Sequence, residues 1–225
     1  RTKDSLTENG MTTNSTTLNA CVDLFFKIGA LRGAEKSRKI STFSKAFGED
    51  PLMAMKILFW SRDVRGGAGE RNTFREILSY LVKNKTEVLK KNIGLIPEYG
   101  RWDDILFLIG TKLEKEALGE IACALKGGNG LCAKWMPREK RAKKHLAKKL
   151  RNLMNLSAKD YRKLLSKNTH VVENKMCAKE WAEINFSQVP SQAFLRYRKA
   201  FSRHQEERFS KFNEDVSEGK EKVNA

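Results

Sequence analysis

Apolar residues return every three or four positions along almost the whole chain, the period that lays one side of an α-helix against a core. Phe74, Ile77, Leu78 and Leu81 stand at i, i+3, i+4 and i+7 and predict a helix over 73–83. Leu18, Val22, Phe25, Phe26 and Ile28 predict another over 18–31, with Gly29 to Gly33 as its exit. A helix over about 35–47 follows. Asp50 ahead of Pro51 then marks a helix start, because a carboxylate caps free N–H groups and proline has none to lose in the first turn. That helix runs through about Trp60, and the same pattern predicts further ones at about 86–92, 102–109, 112–126, 137–153, 158–167, 178–183 and 190–212. The one β-looking stretch, HVVE at 170–173, is too short to found a sheet.

Helices of this length alternating with short Gly- or Pro-bearing turns define an all-α chain. Its expected architecture is a HEAT-like α-solenoid or arc of antiparallel helix pairs. No strict internal repeat is present, so a closed irregular bundle is the other arrangement open to it. The expected organisation is a disordered polar leader over 1–17, a helical-repeat domain over 18–212, and a linker or junction over 213–225.

The segment from Lys134 to Arg151 changes the picture from fold to function. It holds nine Lys and Arg against the single acid Glu139, yet Ala142, Leu146, Leu150 and Leu153 keep a helical apolar stripe. Arg141, Lys144, Lys148 and Arg151 fall together on another face, about a turn apart. Like charges so placed repel one another, so a polyanion that neutralises them is the natural partner. Lys134, Arg138 and Trp135 extend the candidate surface, the indole offering a ring on which an unpaired base can stack.

The whole chain leans the same way: 44 Lys and Arg against 27 Asp and Glu give a formal charge of +17. Such an excess favours nucleic acid, an anionic membrane or an acidic protein. Membrane is the weakest of the three, since no apolar run is long enough to span one. The opening residues RTKDSLTENGMTTNSTT lack the apolar core of a secretory signal, so an intracellular product is expected. Cys21, Cys123, Cys132 and Cys177 show no metal-ligand spacing and are read as reduced, mostly buried thiols.

Two loops carry candidate chemistry. In DVRGGAGER, 63–71, three glycines beside Arg65 and Arg71 could present backbone N–H groups to a phosphate. The GK[ST] ending of a P-loop is absent. The plainer reading is a tight interhelical turn in which Asp63, Arg65, Glu70 and Arg71 pair with neighbours. In YGRWDDI, 99–105, the adjacent Asp103 and Asp104 point about 100° apart on a helix, so they do not converge on a metal without a third ligand. They fit the first turn of a helix, favoured by its dipole, with Trp102 packed inside. His145, His170 and His204 show no Cys–His or Ser–His signature. No catalytic residue, metal or cofactor is therefore expected, and the four tryptophans are read as core anchors, Trp135 in part excepted.

Taken in order, DPLMAMKILFWSRDVRGGAGER, YGRWDDILFL, LCAKWMPRE, DYRKLLSKNTHVVENKM and WAEINFSQVPSQAFLRYRKAFSRHQEERF resemble an uncharacterised family of plants, fungi, bacteria and viruses. Its helical-repeat region is similar to the TROVE module of the Ro autoantigen. The resemblance runs from about Leu18 to Ala225. It implies an arc of HEAT-like helices that binds RNA, normally followed by a von Willebrand factor type A domain in cis. EGKEKVNA at the end of the chain looks like the junction to that domain. The Asp-x-Ser-x-Ser metal pattern of A-type domains has no match here, so no metal carries over.

The expected function is that of a non-catalytic RNA-binding helical-repeat protein of a ribonucleoprotein, contacting phosphate through Lys134, Arg138, Arg141, Lys144, Lys148 and Arg151. Arg65, Arg71 and Trp135 are its further candidate contacts. The alternative is a structural or scaffold protein, including a virus-encoded one, assembling on proteins or on a ribonucleoprotein.

Overall fold

The computed structural model of the 225-residue chain describes residues 4–6, 9–14, 16–139, 143–169 and 171–223. Among them helices predominate. Two compact units divide the chain, residues 1–123 and 124–225, where the sequence suggested one helical body over 18–212.

In the first unit the polar leader, expected to be disordered, pairs β1 (Asp4–Leu6) with β2 (Thr12–Asn14) in an antiparallel hairpin, Ser5 opposite Thr13. The helices are α1 (Ala20–Lys27), α2 (Lys36–Glu49), α3 (Pro51–Arg62), α4 (Arg71–Asn84), α5 (Thr86–Lys91), α6 (Leu95–Tyr99) and α7 (Trp102–Ile105). A single 3₁₀ turn, Leu106–Leu108, follows α7. Helix α8 (Glu114–Lys126) contains the division between units. The Asp50 cap forms as expected, its carboxylate accepting from Met53 N at 2.9 Å with Pro51 opening α3. α2 packs against α1, α3 and α4. Phe43, Leu58, Phe74, Ile77, Leu78 and Leu81 are wholly enclosed, so the stripe that predicted α4 is its core face.

The second unit holds α9 (Gly130–Trp135), α10 (Lys144–Leu153), α11 (Ala158–Asn168), α12 (Val172–Cys177), α13 (Ser191–His204) and α14 (Glu206–Ser217). The predicted helix over 137–153 starts later, and α9, capped by Asn129, stands apart from it. Proline explains the gap: Pro137 removes a donor just past the end of α9 and disfavours helix at Met136, whose backbone is extended. Of HVVE, His170 lies outside the described residues, and the rest is not a strand: Val171 is an extended cap and Val172 opens α12. The long helix over 190–212 breaks at Gln205 into α13 and α14, which fold onto each other. Phe186, Phe194, Phe201, Phe209 and Phe212 fill the space between them in a single aromatic cluster.

None of the four tryptophans is fully buried, and Trp135 is 38% exposed. The cysteines are free thiols, Cys21 and Cys132 buried, Cys123 and Cys177 exposed, so half of them are not the buried groups expected.

Candidate nucleic-acid interface

The basic segment is built on α9 and α10. Leu146, Ala147 and Leu150 are buried, which fixes the phase of α10 and turns Lys144, Lys148 and Lys149 to solvent. Leu153, expected to continue the buried stripe, is 44% exposed, and Met154 takes the buried place one residue on. Asn155 there adopts φ +53° and Leu156 N bonds back to Arg151 O at 2.8 Å, a left-handed helix stop that ends the stripe early.

The first turn of α10 is electrostatically unusual. Lys143 occupies the cap position without a capping hydrogen bond, no acid follows it, and Lys144 is the first helical residue. A helix N-terminus already carries about half a positive charge, so lysines there raise a local potential that an anion relieves. Lys143, Lys144 and Lys148 have no ion-pair partner among the described residues.

The other members of the predicted set differ in state. Arg151 is not part of a free basic face: its Nε lies 2.9 Å from Glu139 and its guanidinium reaches Leu156 O, which leaves it half-buried. The lone acid of the segment thus neutralises the last of its cations. Arg138 is half-buried with Nη2 3.5 Å from Thr169 Oγ1. Lys134 sits 3.9 Å from Glu173 at the edge of an open pocket of about 460 Å³ that Leu131, Val171, Asn185 and Gln188 also line. Arg141 and Ala142 lie outside the described residues. Beneath this surface, Tyr161 is buried and donates to Pro137 O at 3.2 Å, holding the α9–α10 connection, and burial pushes its phenol well above the usual range.

The remaining two predicted contacts belong to the first unit. The second half of the Gly-rich loop turns its N–H groups inward: Ala68 N bonds to Trp60 O, Gly69 N to Asp63 O and Glu70 N to Ser61 O, all at the end of α3. Gly67 is obligatory there, since a Cβ would stand 1.9 Å from Trp60 O. Arg65 is exposed, its own N–H held by the Asp63 carboxylate at 2.9 Å.

Arg71 is drawn elsewhere. It pairs with Asp103 and, more loosely, with Asp104, so the two loops singled out in the sequence meet in space. Asp104 is the centre of this cluster. One oxygen accepts from Arg62 Nε at 2.8 Å, Arg62 Nη2 at 2.7 Å and Arg101 N at 3.1 Å; the other accepts from Arg75 Nε at 2.9 Å and Nη2 at 2.7 Å. Burial alone would raise its pKa, but the charges and hydrogen bonds of Arg62 and Arg75 outweigh it and hold the carboxyl below its usual value. Glu70, also buried, accepts from Arg32 Nε at 2.6 Å rather than pairing with Arg65 or Arg71. The aspartates do occupy the first turn of α7, as expected, yet they serve three arginines from α3 and α4.

Two features escaped the sequence reading. Arg62 lies in the core stripe of α3, one turn past Leu58, a phase that was available to find it. Arg196, Lys199 and Arg203 form an exposed row on α13 at helical spacing. Among the described residues no group of three His, Cys, Asp or Glu side chains is placed to hold a metal, and no helix is long and apolar enough to cross a membrane.

Fold and surface together define an all-α, strongly basic protein of two helical units. The chain belongs to the family described as Domain of unknown function (DUF2828), whose model matches residues 7–126 and 120–225. It is also similar to an uncharacterized protein of Acanthamoeba polyphaga mimivirus, with 31% identity over 270 aligned positions that cover 98% of this chain and 47% of that protein. The chain thus spans about half the length of the curated relative it matches. No solved structure matches it significantly.

Proposed function

We propose that this chain is a non-catalytic RNA-binding module in which the exposed lysines at the start of α10 contact phosphate. The observation that carries the reading is the uncapped, acid-free first turn of α10 bearing Lys143 and Lys144, with Lys148 a turn further on, in a chain of net charge +17. Such a surface gains from a polyanion twice, by relieving its own repulsion and by meeting the positive end of the helix. Contact is to backbone phosphate and weakly selective for sequence. The resemblance of the motif series to an uncharacterised family whose helical region is similar to the TROVE module of Ro-like proteins supports the same ligand and an A-type domain as the partner in cis; Lys134, Arg138 and the exposed α13 row are further contacts proposed on charge alone.

The experiment is a salt titration of RNA binding for the chain and for a Lys143→Ser/Lys144→Ser/Lys148→Ser variant. If all three contact phosphate, the log–log slope flattens by about two units on single strands and nearly three on duplex. An unchanged slope and affinity in the folded variant refutes the reading.

A second reading, a scaffold that assembles on other proteins, is favoured by one observation. Val22, Phe25 and Phe26 of α1 and Leu52 and Met53 of α3 are exposed on helices that pack together. Binding to a purified protein partner that persists after nuclease and in high salt would select it over RNA.

A further inference from the structure

An open pocket of about 410 Å³ lies on the first unit between α2, α4 and the turn that follows the 3₁₀ segment. Val82 and Phe107 give it an apolar lining, Ser79 and Thr111 add hydroxyls, and the exposed Lys36, Lys83 and Lys112 carry its charge. No carboxylate lines it, and the three lysines have no ion-pair partner among the described residues.

Local structure explains why this pocket exists. Leu106 and Leu108 are buried on either side of Phe107, so the 3₁₀ turn anchors its two neighbours and leaves the Phe107 ring outward, 39% exposed. Gly110, at φ +87°, reverses the chain, and Thr111 Oγ1 donates to Leu108 O at 2.6 Å, which brings Lys112 back to the pocket. The nearby Glu114 carboxylate is engaged by Gly110 N at 2.5 Å. Lys36 is the first residue of α2, whose opening turn contains no acid and whose cap residue Glu35 makes no capping hydrogen bond.

An exposed aromatic ring ringed by uncompensated ammonium groups has two needs. The lysines repel one another until an anion sits among them, and the ring gains from a flat π-face laid on it. Both needs are met within one small ligand when that ligand joins an aromatic base to a phosphate. The volume lies in the range of ordinary small-ligand pockets. We propose that this pocket binds a phosphorylated nucleoside, free or as one residue of a single strand, with the base on Phe107 and the phosphate among Lys36, Lys83 and Lys112. It goes beyond the α10 reading, because it lies in the other unit and takes the base as well as the phosphate.

The test titrates the chain in low salt with ADP, with an octamer of single-stranded oligo(U), and with uridine as the phosphate-free control. Two variants are compared: Phe107→Leu, which keeps the lining apolar and removes the ring, and Lys36→Ser/Lys83→Ser/Lys112→Ser, confined to the pocket lysines. Phe107→Leu should weaken binding by about five- to 150-fold, the range of one base–aromatic stack. Because the three lysines share one phosphate, the lysine variant should flatten the salt slope on the octamer by about 0.7 unit. Saturable ADP binding that both variants lose assigns a free nucleotide, and loss confined to the octamer assigns a residue of a strand. The α10 lysine variant keeps the two interfaces apart: octamer binding abolished there but untouched by both pocket variants overturns this site while leaving the α10 reading standing. Failure of ADP and the octamer alike to bind, or unchanged affinity for both in folded pocket variants, overturns it as well.

Discussion

Arg62 and Asp104 form an ion pair at 2.7 Å with side chains 2% and 0% exposed, 42 residues apart in sequence. The pair joins the last turn of α3 to the first turn of α7, and Arg71 and Arg75 of α4 close on the same aspartates. Such a pair is costly to half-remove, because the surviving charge stays buried without its partner.

Asp104→Ala should therefore destabilise the protein by about 3–5 kcal/mol, the range for breaking a buried ion pair. Urea unfolding of the first unit measures it. Replacing Arg62 and Asp104 together by Met and Leu should cost less, because the fully buried guanidinium leaves with its carboxylate and the charge left behind, Arg75, is 25% exposed and keeps Asp103 at 3.7 Å.

The same carboxyl makes stability depend on acid. Its folded pKa is depressed, so its contribution is complete above the unfolded value of about 3.9 and is lost as pH falls through the folded value. Asp23 acts likewise: burial raises its pKa, but hydrogen bonds from Thr16 and Thr17 and the Lys27 charge bring it down to about 2. Thermal melts should be flat in pH near neutrality and fall between about pH 4 and 2, with the Asp104→Ala protein losing part of that slope.

In the second unit, Leu146→Ala and Leu150→Ala should each cost about 2–5 kcal/mol, whereas serine at Lys144 or Lys148 should stay within about 0.5 kcal/mol. Circular dichroism melts distinguish them. Equal losses from leucine and lysine variants would mean that the phase of α10 is wrong.

Arg65 and Arg71 should part company. Arg71→Ala removes a partner of Asp103 and should lower stability while leaving the salt slope of RNA binding unchanged. Arg65→Ala should leave stability alone, since its side chain is exposed. A flattened slope in the Arg71 variant alone would show that phosphate competes successfully for its guanidinium.

Thiol labelling should follow burial. Burial pushes Cys132 up to about 12 and also raises Cys21, whereas Cys123 and Cys177 are exposed. At pH 8 a maleimide should label Cys123 and Cys177 quickly and the other two only as the protein opens. Early modification of Cys132 in mass-spectrometric mapping would contradict its burial.

The sequence by itself determined the all-α class, the Asp50–Pro51 start of α3 and the buried face of α4, because each rests on neighbours three or four residues apart. It also placed Leu146 and Leu150 inside and Lys144 and Lys148 outside, since one helical phase decides all four. Tertiary structure decided what charge does. Arg71 and Arg65 look alike in DVRGGAGER, but only Arg71 meets an aspartate pair from 32 residues away. Glu139 claims Arg151 across a connection that interrupts the helix. Nothing local separates a cation held by a distant carboxylate from one left to solvent, because a salt bridge is set by where two chain segments pack and not by their spacing. The pocket around Phe107 has the same origin: Lys36, Lys83 and Lys112 are far apart in sequence and share a pocket only because α2, α4 and the 3₁₀ turn bury their apolar sides together.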